Sequence, residues 1–154
     1  MTKTKYYLDI ALAVASKATC LKKQYGAVIV SGDEIVATGF NGPPRKEPHC
    51  TRCTKKHGNG DTDEYNSCPA VHAEQNAIIS ASRKEMFGAD LYLAGWEVTN
   101  EPNCTKQEHK NAMPCEICLR LIKNAGIKRV INRTGVIYER MEDGILHCLK
   151  ESYD

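Results

Sequence analysis

GAVIVSGDEIVATGF, residues 26–40, reads as two β-strands, GAVIV (26–30) and EIVATGF (34–40), joined by Ser31-Gly32-Asp33. The small and polar residues between them suit a tight hairpin, so this pairing is antiparallel. The surrounding segments have a different rhythm. Upstream, Tyr7, Ile10, Ala11, Val14 and Ala15 recur at helical spacing and predict an amphipathic helix over 4–19. Downstream, Ala73, Ala77, Ile78 and Ala81 predict a helix over about 71–83, followed by a strand at LYLAG (91–95). Pro114 suits the first position of another helix, whose stripe of Ile117, Leu121 and Ile122 runs to a C-cap at Asn124-Ala125-Gly126. KRVIN (128–132) gives the next strand, and the tail predicts a strand at 135–138 and a short helix near its end. Helix, hairpin, helix, strand, helix, strand is an α/β order in which each strand-helix-strand unit calls for parallel pairing. Together with the hairpin this gives a mixed sheet with helices on its faces. The two stretches without apolar pattern, 41–69 and 96–113, read as long loops.

The 154 residues fit one domain, 1–154, with enough chain for a real core. A net charge of +2, from 21 basic and 19 acidic side chains, argues for neither a nucleic-acid stripe nor a membrane-binding surface and leaves small, soluble partners as the expectation. The N-terminal stretch lacks a signal-peptide layout, and Leu8 to Ala15 falls far short of the ~20 apolar residues that span a bilayer. The reading is therefore cytoplasmic. In a reducing compartment, eight cysteines at short spacings beside histidines point to metal ligands or redox groups rather than cross-links.

His72-Ala73-Glu74 opens one predicted helix, and Pro114-Cys115-Glu116-Ile117-Cys118 opens another. Cys115 and Cys118 are three apart, so both sulfurs lie on one helical face, in a first turn where free N–H groups and the helix dipole favour thiolate. One imidazole nitrogen from His72 brings the protein ligands to three and leaves the fourth tetrahedral position to water, as in a catalytic zinc site. Glu74 is two residues from His72, which in mid-helix would place the side chains on nearly opposite faces; only at a helix end can both reach one centre. There Glu74 serves as the general acid–base. A lone CxxC at a helix start is more often a structural half-site or a redox pair, and a lone HxE means little. Both together, about forty residues apart and each opening a helix, reverse that weighting.

HxE paired with PCxxC is the signature of the zinc nucleobase deaminases. With ATCLKKQYGAVIV (18–30), TGFNGPP (38–44), HAEQNAI (72–78) and NAGIKRVI (124–131), the chain resembles the deoxycytidylate deaminases of the cytidine deaminase superfamily. The resemblance implies a three-layer α/β fold with a mixed sheet of about five strands. It also implies hydrolysis of dCMP to dUMP and ammonia, a homo-oligomer (hexamer or dimer), and deoxynucleoside triphosphate effectors in some members. Carried over by position, Asn41 contacts the sugar and the backbone of Ala73 hydrogen-bonds the pyrimidine. Arg45 and Lys46 are the candidates for a 5′-phosphate, weighed against solvated loop charges.

Cys50 and Cys53 form a second CxxC in the long loop, near His49, His57 and Cys68. A structural zinc takes four N or S ligands, which Cys20, Cys50, Cys53 and Cys68 would supply. The resembling family often carries such a second zinc, with a cysteine four residues before the catalytic histidine, as Cys68 precedes His72. His49 or His57 in place of one thiolate, or no second metal, are the alternatives. Cys104 and Cys148 read as ordinary thiols.

The chain departs from the resembling enzymes in two places. Where they join the third strand to PCxxC by a short link, this chain has residues 96–113, which with Trp96 and His109 would reshape the pocket or act as a lid. After Ile131, NRTGVIYERMEDGILHCLKESYD lacks the usual run into a fifth strand. These departures keep open a deaminase of cytidine, guanine or RNA adenosine, or a non-catalytic zinc-binding module. An RNA editor would carry a basic face, and a binding module has no need of Glu74.

Overall fold

The computed structural model describes residues 1–53, 68–99 and 105–150. The elements in chain order are α1 (Lys3–Ala15), β1 (Lys23–Ser31), β2 (Glu34–Phe40), α2 (Ala73–Ser80), α3 (Arg83–Met86), β3 (Asp90–Val98), β4 (Lys106–Glu108), α4 (Glu116–Ala125), β5 (Arg129–Asn132), β6 (Gly135–Arg140) and β7 (Leu146–Cys148). The strands form one seven-stranded sheet in the order β2-β1-β3-β5-β6-β7, with β4 paired to β3 off this path. His57 and Cys104 lie outside the described residues.

Period-two alternation divides the buried strand residues between two faces. Val28, Val30, Tyr92, Ala94 and Ile131 pack with Tyr7, Leu8 and Ala11 of α1. Ala27, Ile29, Leu91, Leu93 and Val130 pack on the opposite face with Ala73 and Ala77 of α2 and with Ile122 and Ala125 of α4. The result is the three-layer α/β arrangement that the sequence predicts. β1 and β2 pair antiparallel, and β3 and β5 pair parallel across α4. The other strand-helix-strand unit gives a different result: β2 and β3 both run antiparallel to β1 and so share a direction, but β1 lies between them.

Four expectations need correction. The helix expected over 71–83 ends at Ser80, and Ser82 caps a separate one-turn helix. Pro114 is not the first helical residue, because Cys115 is the N-cap. The segment 96–113 is not a patternless loop: β3 continues to Val98, and Lys106–Glu108 folds back on it as β4. The tail carries no helix among its described residues, where β7 pairs with β6 and brings the sheet to seven strands rather than about five. β4 and β7 are three-residue strands that bury at most one side chain, Leu146 of β7, which is too little for an alternating signal. No helix among the described residues is long and apolar enough to cross a membrane.

α2 lies directly on β2 at Gly39. A Cβ there would sit 2.3 Å from the Ala73 carbonyl oxygen and 2.4 Å from the Ala77 nitrogen. Because both contacts are backbone, a side chain can be admitted only by lifting the helix away. Gly39→Ala should therefore cost about 3 kcal/mol, the upper range for overpacking, and lower the melting temperature by roughly 6–12 °C for a chain of this size. Thermal unfolding followed by circular dichroism tests this; an unchanged midpoint would contradict the close approach.

Candidate active site

The long loop after β2 is closed at its neck by an isolated bridge between Gly42 and Val71, with N–H to carbonyl distances of 3.2 and 2.8 Å. That bridge fixes the chain one residue before His72. His72 is the N-cap of α2, in extended backbone (φ −76°, ψ 156°), and its N–H donates to Gln75 Oε1 at 2.8 Å. Glu74 follows in the first turn. The helix-end placement that the HxE spacing requires is therefore the one the chain adopts.

Cys115 caps α4 in the same way (φ −69°, ψ 168°), and its sulfur accepts from the Cys118 N–H at 3.5 Å. The two helix starts converge. Cys115 Sγ lies 3.5 Å and Cys118 Sγ 3.3 Å from His72 Nδ1. All three ligand atoms fall within 4.8 Å of one another, the one such group of His, Cys, Asp and Glu among the described residues. Zinc held at about 2.3 Å from sulfur and 2.0–2.1 Å from nitrogen in a tetrahedron needs S···N edges of about 3.5 Å, so the donor set and its spacing fit this ion. Three protein donors leave a position open, and Nδ1 is the nitrogen turned to the sulfurs.

Glu74 is buried (4% exposed) and interacts with the Cys118 thiol. Burial raises its carboxyl above the ordinary value, against the backbone and thiol contacts that lower it. Burial also pushes the Cys118 thiol well up, with Glu74 and Cys115 adding to the effect. This differs from the expectation that the helix start alone favours thiolate: desolvation outweighs the dipole at Cys118, so ionisation there belongs with cation binding.

His72, Cys115 and Glu74 open onto a cavity of about 280 Å³, with Cys118 buried behind them. Its floor is the sheet face carrying Tyr25 and Leu93; His72, Glu74 and Cys115 line it from the helix ends, and Asn41, Lys22 and Lys23 from the loop side. The Asn41 side chain is bound to β1, with Oδ1 accepting from the Tyr25 N–H at 2.7 Å and Nδ2 donating to the Lys23 carbonyl at 2.9 Å. Each atom retains capacity for a second hydrogen bond. Ala73, fully buried as the first residue of α2, has no carbonyl one turn back in the helix to take its N–H.

His72, Cys115, Cys118 and Glu74 thus meet in one place. The model of the cytidine and deoxycytidylate deaminase zinc-binding region matches residues 1–134. The chain belongs to that family. It is 34% identical over 133 residues to the deoxycytidylate deaminase of Mycobacterium phage D29, a match covering 82% of this chain and 91% of the phage protein. It is 31% identical to that of Schizosaccharomyces pombe and 30% to that of Saccharomyces cerevisiae, over 84% and 96% of this chain. It spans 36% and 41% of those two yeast proteins. Its fold matches a crystal structure of dCMP deaminase from cyanophage S-TIM5 with a TM-score of 0.59 at 23% identity, covering 83% of this chain and 79% of that one.

Against the family pattern, two groups of residues stand apart. Arg45 and Lys46 are exposed in the loop and are not among the described cavity residues, whereas Lys22 and Lys23 are. The sequence signal for them was the pair of lysines entering β1, hidden because the strand was read from Gly26 although it begins at Lys23. Cys20, Cys53 and Cys68 line the same cavity, but no three of Cys20, Cys50, Cys53 and Cys68 come within metal-sharing distance.

Purified protein should carry zinc, and Cys115→Ala should lose about one equivalent. Metal analysis by atomic emission is the measurement, and unchanged zinc content would refute the triad.

Proposed function

We propose that this chain hydrolyses dCMP to dUMP and ammonia, with His72, Cys115 and Cys118 as zinc ligands and Glu74 as the proton carrier. The observation that carries the proposal is the buried Glu74 carboxyl beside a three-donor site at the end of a nucleotide-sized cavity. Zinc in that site supplies Lewis acidity, bringing the pKa of water in its open position from 15.7 to roughly 7. Glu74 would take one proton from the attacking water and deliver it to N3 of the pyrimidine, then take the second from the hydroxyl added to the ring carbon and pass it to the amine, which leaves as ammonia as the ring carbonyl forms. A carboxyl raised by burial suits a group that must both accept and release a proton near neutrality. Asn41 faces the sugar, and the Ala73 N–H, lacking a helical acceptor, is placed to hold the pyrimidine ring. The deoxycytidylate names of the phage and yeast relatives support the choice of substrate.

Lys22 and Lys23 take the role in phosphate recognition that the sequence reading gave to Arg45, because they line the cavity and Arg45 does not. A charge-assisted hydrogen bond contributes about 1.5–3 kcal/mol, and a site built for phosphate leaves donors unpaired when only the nucleoside binds. A second, closed zinc on Cys20, Cys50, Cys53 and Cys68 also belongs to this proposal; it is supported by the family resemblance and by three of these thiols lining one cavity, and it requires them to draw closer than they stand here. In metal analysis it would appear as the equivalent retained by Cys115→Ala. Homo-oligomerisation, deoxynucleoside triphosphate control and a cytoplasmic setting are proposed from the family alone.

The test is ammonia release from dCMP, CMP, dCTP, deoxycytidine, cytosine, guanine and RNA. We expect dCMP to lead deoxycytidine by at least about a hundredfold in kcat/KM, the discrimination open to a site with polar groups matched to its ligand. Lys23→Ala should erode that preference while Arg45→Ala should not. Equal turnover of the nucleoside or free base would exclude the monophosphate assignment while leaving the zinc chemistry intact. Separately, Glu74→Gln should keep its zinc and lose about 10²–10⁴-fold in kcat, the usual contribution of general acid–base help; activity within a few-fold of the parent would remove Glu74 from the mechanism.

A further inference from the structure

The inserted segment reaches the cavity through Met113 and also supports one aromatic residue of its wall. Tyr25 lies on β1 opposite Gly95 of β3. A Cβ on Gly95 would stand 2.3 Å from Tyr25 Cδ1 and 2.9 Å from Cε1, so the ring occupies the space a side chain would take. The His109 ring contacts Tyr25 with centroids 6.2 Å apart and planes at 63°, an edge-on geometry. His109 is itself fixed by its N–H donating to the Gly95 carbonyl at 2.8 Å. The Tyr25 backbone is held independently by Asn41 Oδ1. The ring is thus held from two sides and the backbone from a third point, while the phenol hydroxyl has no hydrogen-bond partner among the described residues. Trp96, the other aromatic of the insertion, shares the strand parity of Tyr92 and Ala94 and so belongs to the α1 face, away from the cavity.

We propose that Tyr25 is a specificity-determining residue of the nucleotide pocket, its phenol O–H donating to a sugar or phosphate oxygen, and that His109 is the positioning residue that holds its ring. The proposal rests on the cytosine-nucleotide reading above. Burial, followed by the nearby Glu74 carboxylate, pushes the Tyr25 hydroxyl well above the ordinary phenol range, so it remains a donor throughout the working pH range. Asn41, bonded to the same residue, and the cavity lysines set Tyr25 beside the groups proposed above for sugar and phosphate, with Glu74 also near its hydroxyl. The described part of the insertion around His109 thereby supports the pocket wall.

Calorimetric titration with dUMP, which needs no turnover, reads binding directly, alongside steady-state kinetics with dCMP. Tyr25→Phe keeps the ring and loses the donor; we expect dUMP binding weaker by about tenfold and a matching rise in KM, with kcat within about twofold. His109→Ala should weaken dUMP binding by about threefold in the parent and hardly at all in the Tyr25→Phe background, since coupled residues are not additive. His109→Phe, which retains an edge-on ring, should bind like the parent. Parent-like dUMP binding by Tyr25→Phe would overturn the donor role, and an equal His109→Ala loss in both backgrounds would overturn the positioning role. A parent protein that binds no dUMP and turns over no dCMP would overturn the nucleotide reading and this inference with it, whereas normal dCMP turnover with an inert Tyr25→Phe would overturn this inference alone.

Discussion

The site depends on two helix starts meeting over one sheet face, with each helix contributing its N-cap to a donor set that could hold a metal ion. An N-cap residue has extended backbone while the next residues turn, so side chains close in sequence can converge on one point rather than radiate around a cylinder. His72 and Cys115 both take this conformation. Glu74 and Cys118 then follow from the first turns, one on each helix. Three metal-capable donors and a buried carboxyl are thereby drawn from two short segments 43 residues apart.

Holding those two helix starts in place falls to backbone contact more than to side-chain volume. α2 rests on β2 through Gly39 and on the core through Ala73 and Ala77, all of minimal size, so the helix axis comes close to the sheet. The Gly42–Val71 bridge fixes the approach to His72. On the other side, β3 and β5 are registered parallel across α4, and the Asp90–Arg129 pair joins their first matched residues through bonds of 2.6 and 2.9 Å. Arg129 is 40% exposed, so that pair adds register more than stability.

What the sequence made legible follows the same division. Strands buried on both faces and helices with one apolar stripe have strong periods, and β1, β2, β3, β5, α1, α2 and α4 were readable from them. The HxE and PCxxC spacings located His72, Glu74, Cys115 and Cys118 because metal chemistry restricts both residue type and separation. Lys22, Lys23 and Tyr25 were not legible as site residues. Their place in the cavity comes from β1 beginning three residues earlier than its apolar run, and from Asn41 clamping that extension. Nor could β4 and β7 be read, since strands of three residues at a sheet margin bury too little to leave a pattern.

The inserted hairpin shows why such segments escape composition-based reading and still matter. Of its described residues, Ala112 is fully buried, and the contacts that fasten it are mainly polar. Arg133 reaches from the turn after β5 to Glu108 at 2.5 Å and to Asp9 of α1 at 2.7 Å. Buried Asn132 donates to the Ala112 carbonyl at 2.9 Å, while its Oδ1 accepts from the Thr134 N–H at 2.8 Å. Such bonds exchange solvent contacts for protein contacts and add only about 0.5–1.5 kcal/mol each, yet they are directional and fix position closely. Apolar burial would have stabilised more but would have left a recognisable hydrophobic pattern. The polar attachment aligns the segment between β3 and α4, so its effect falls on the geometry of the cavity wall more than on the stability of the fold.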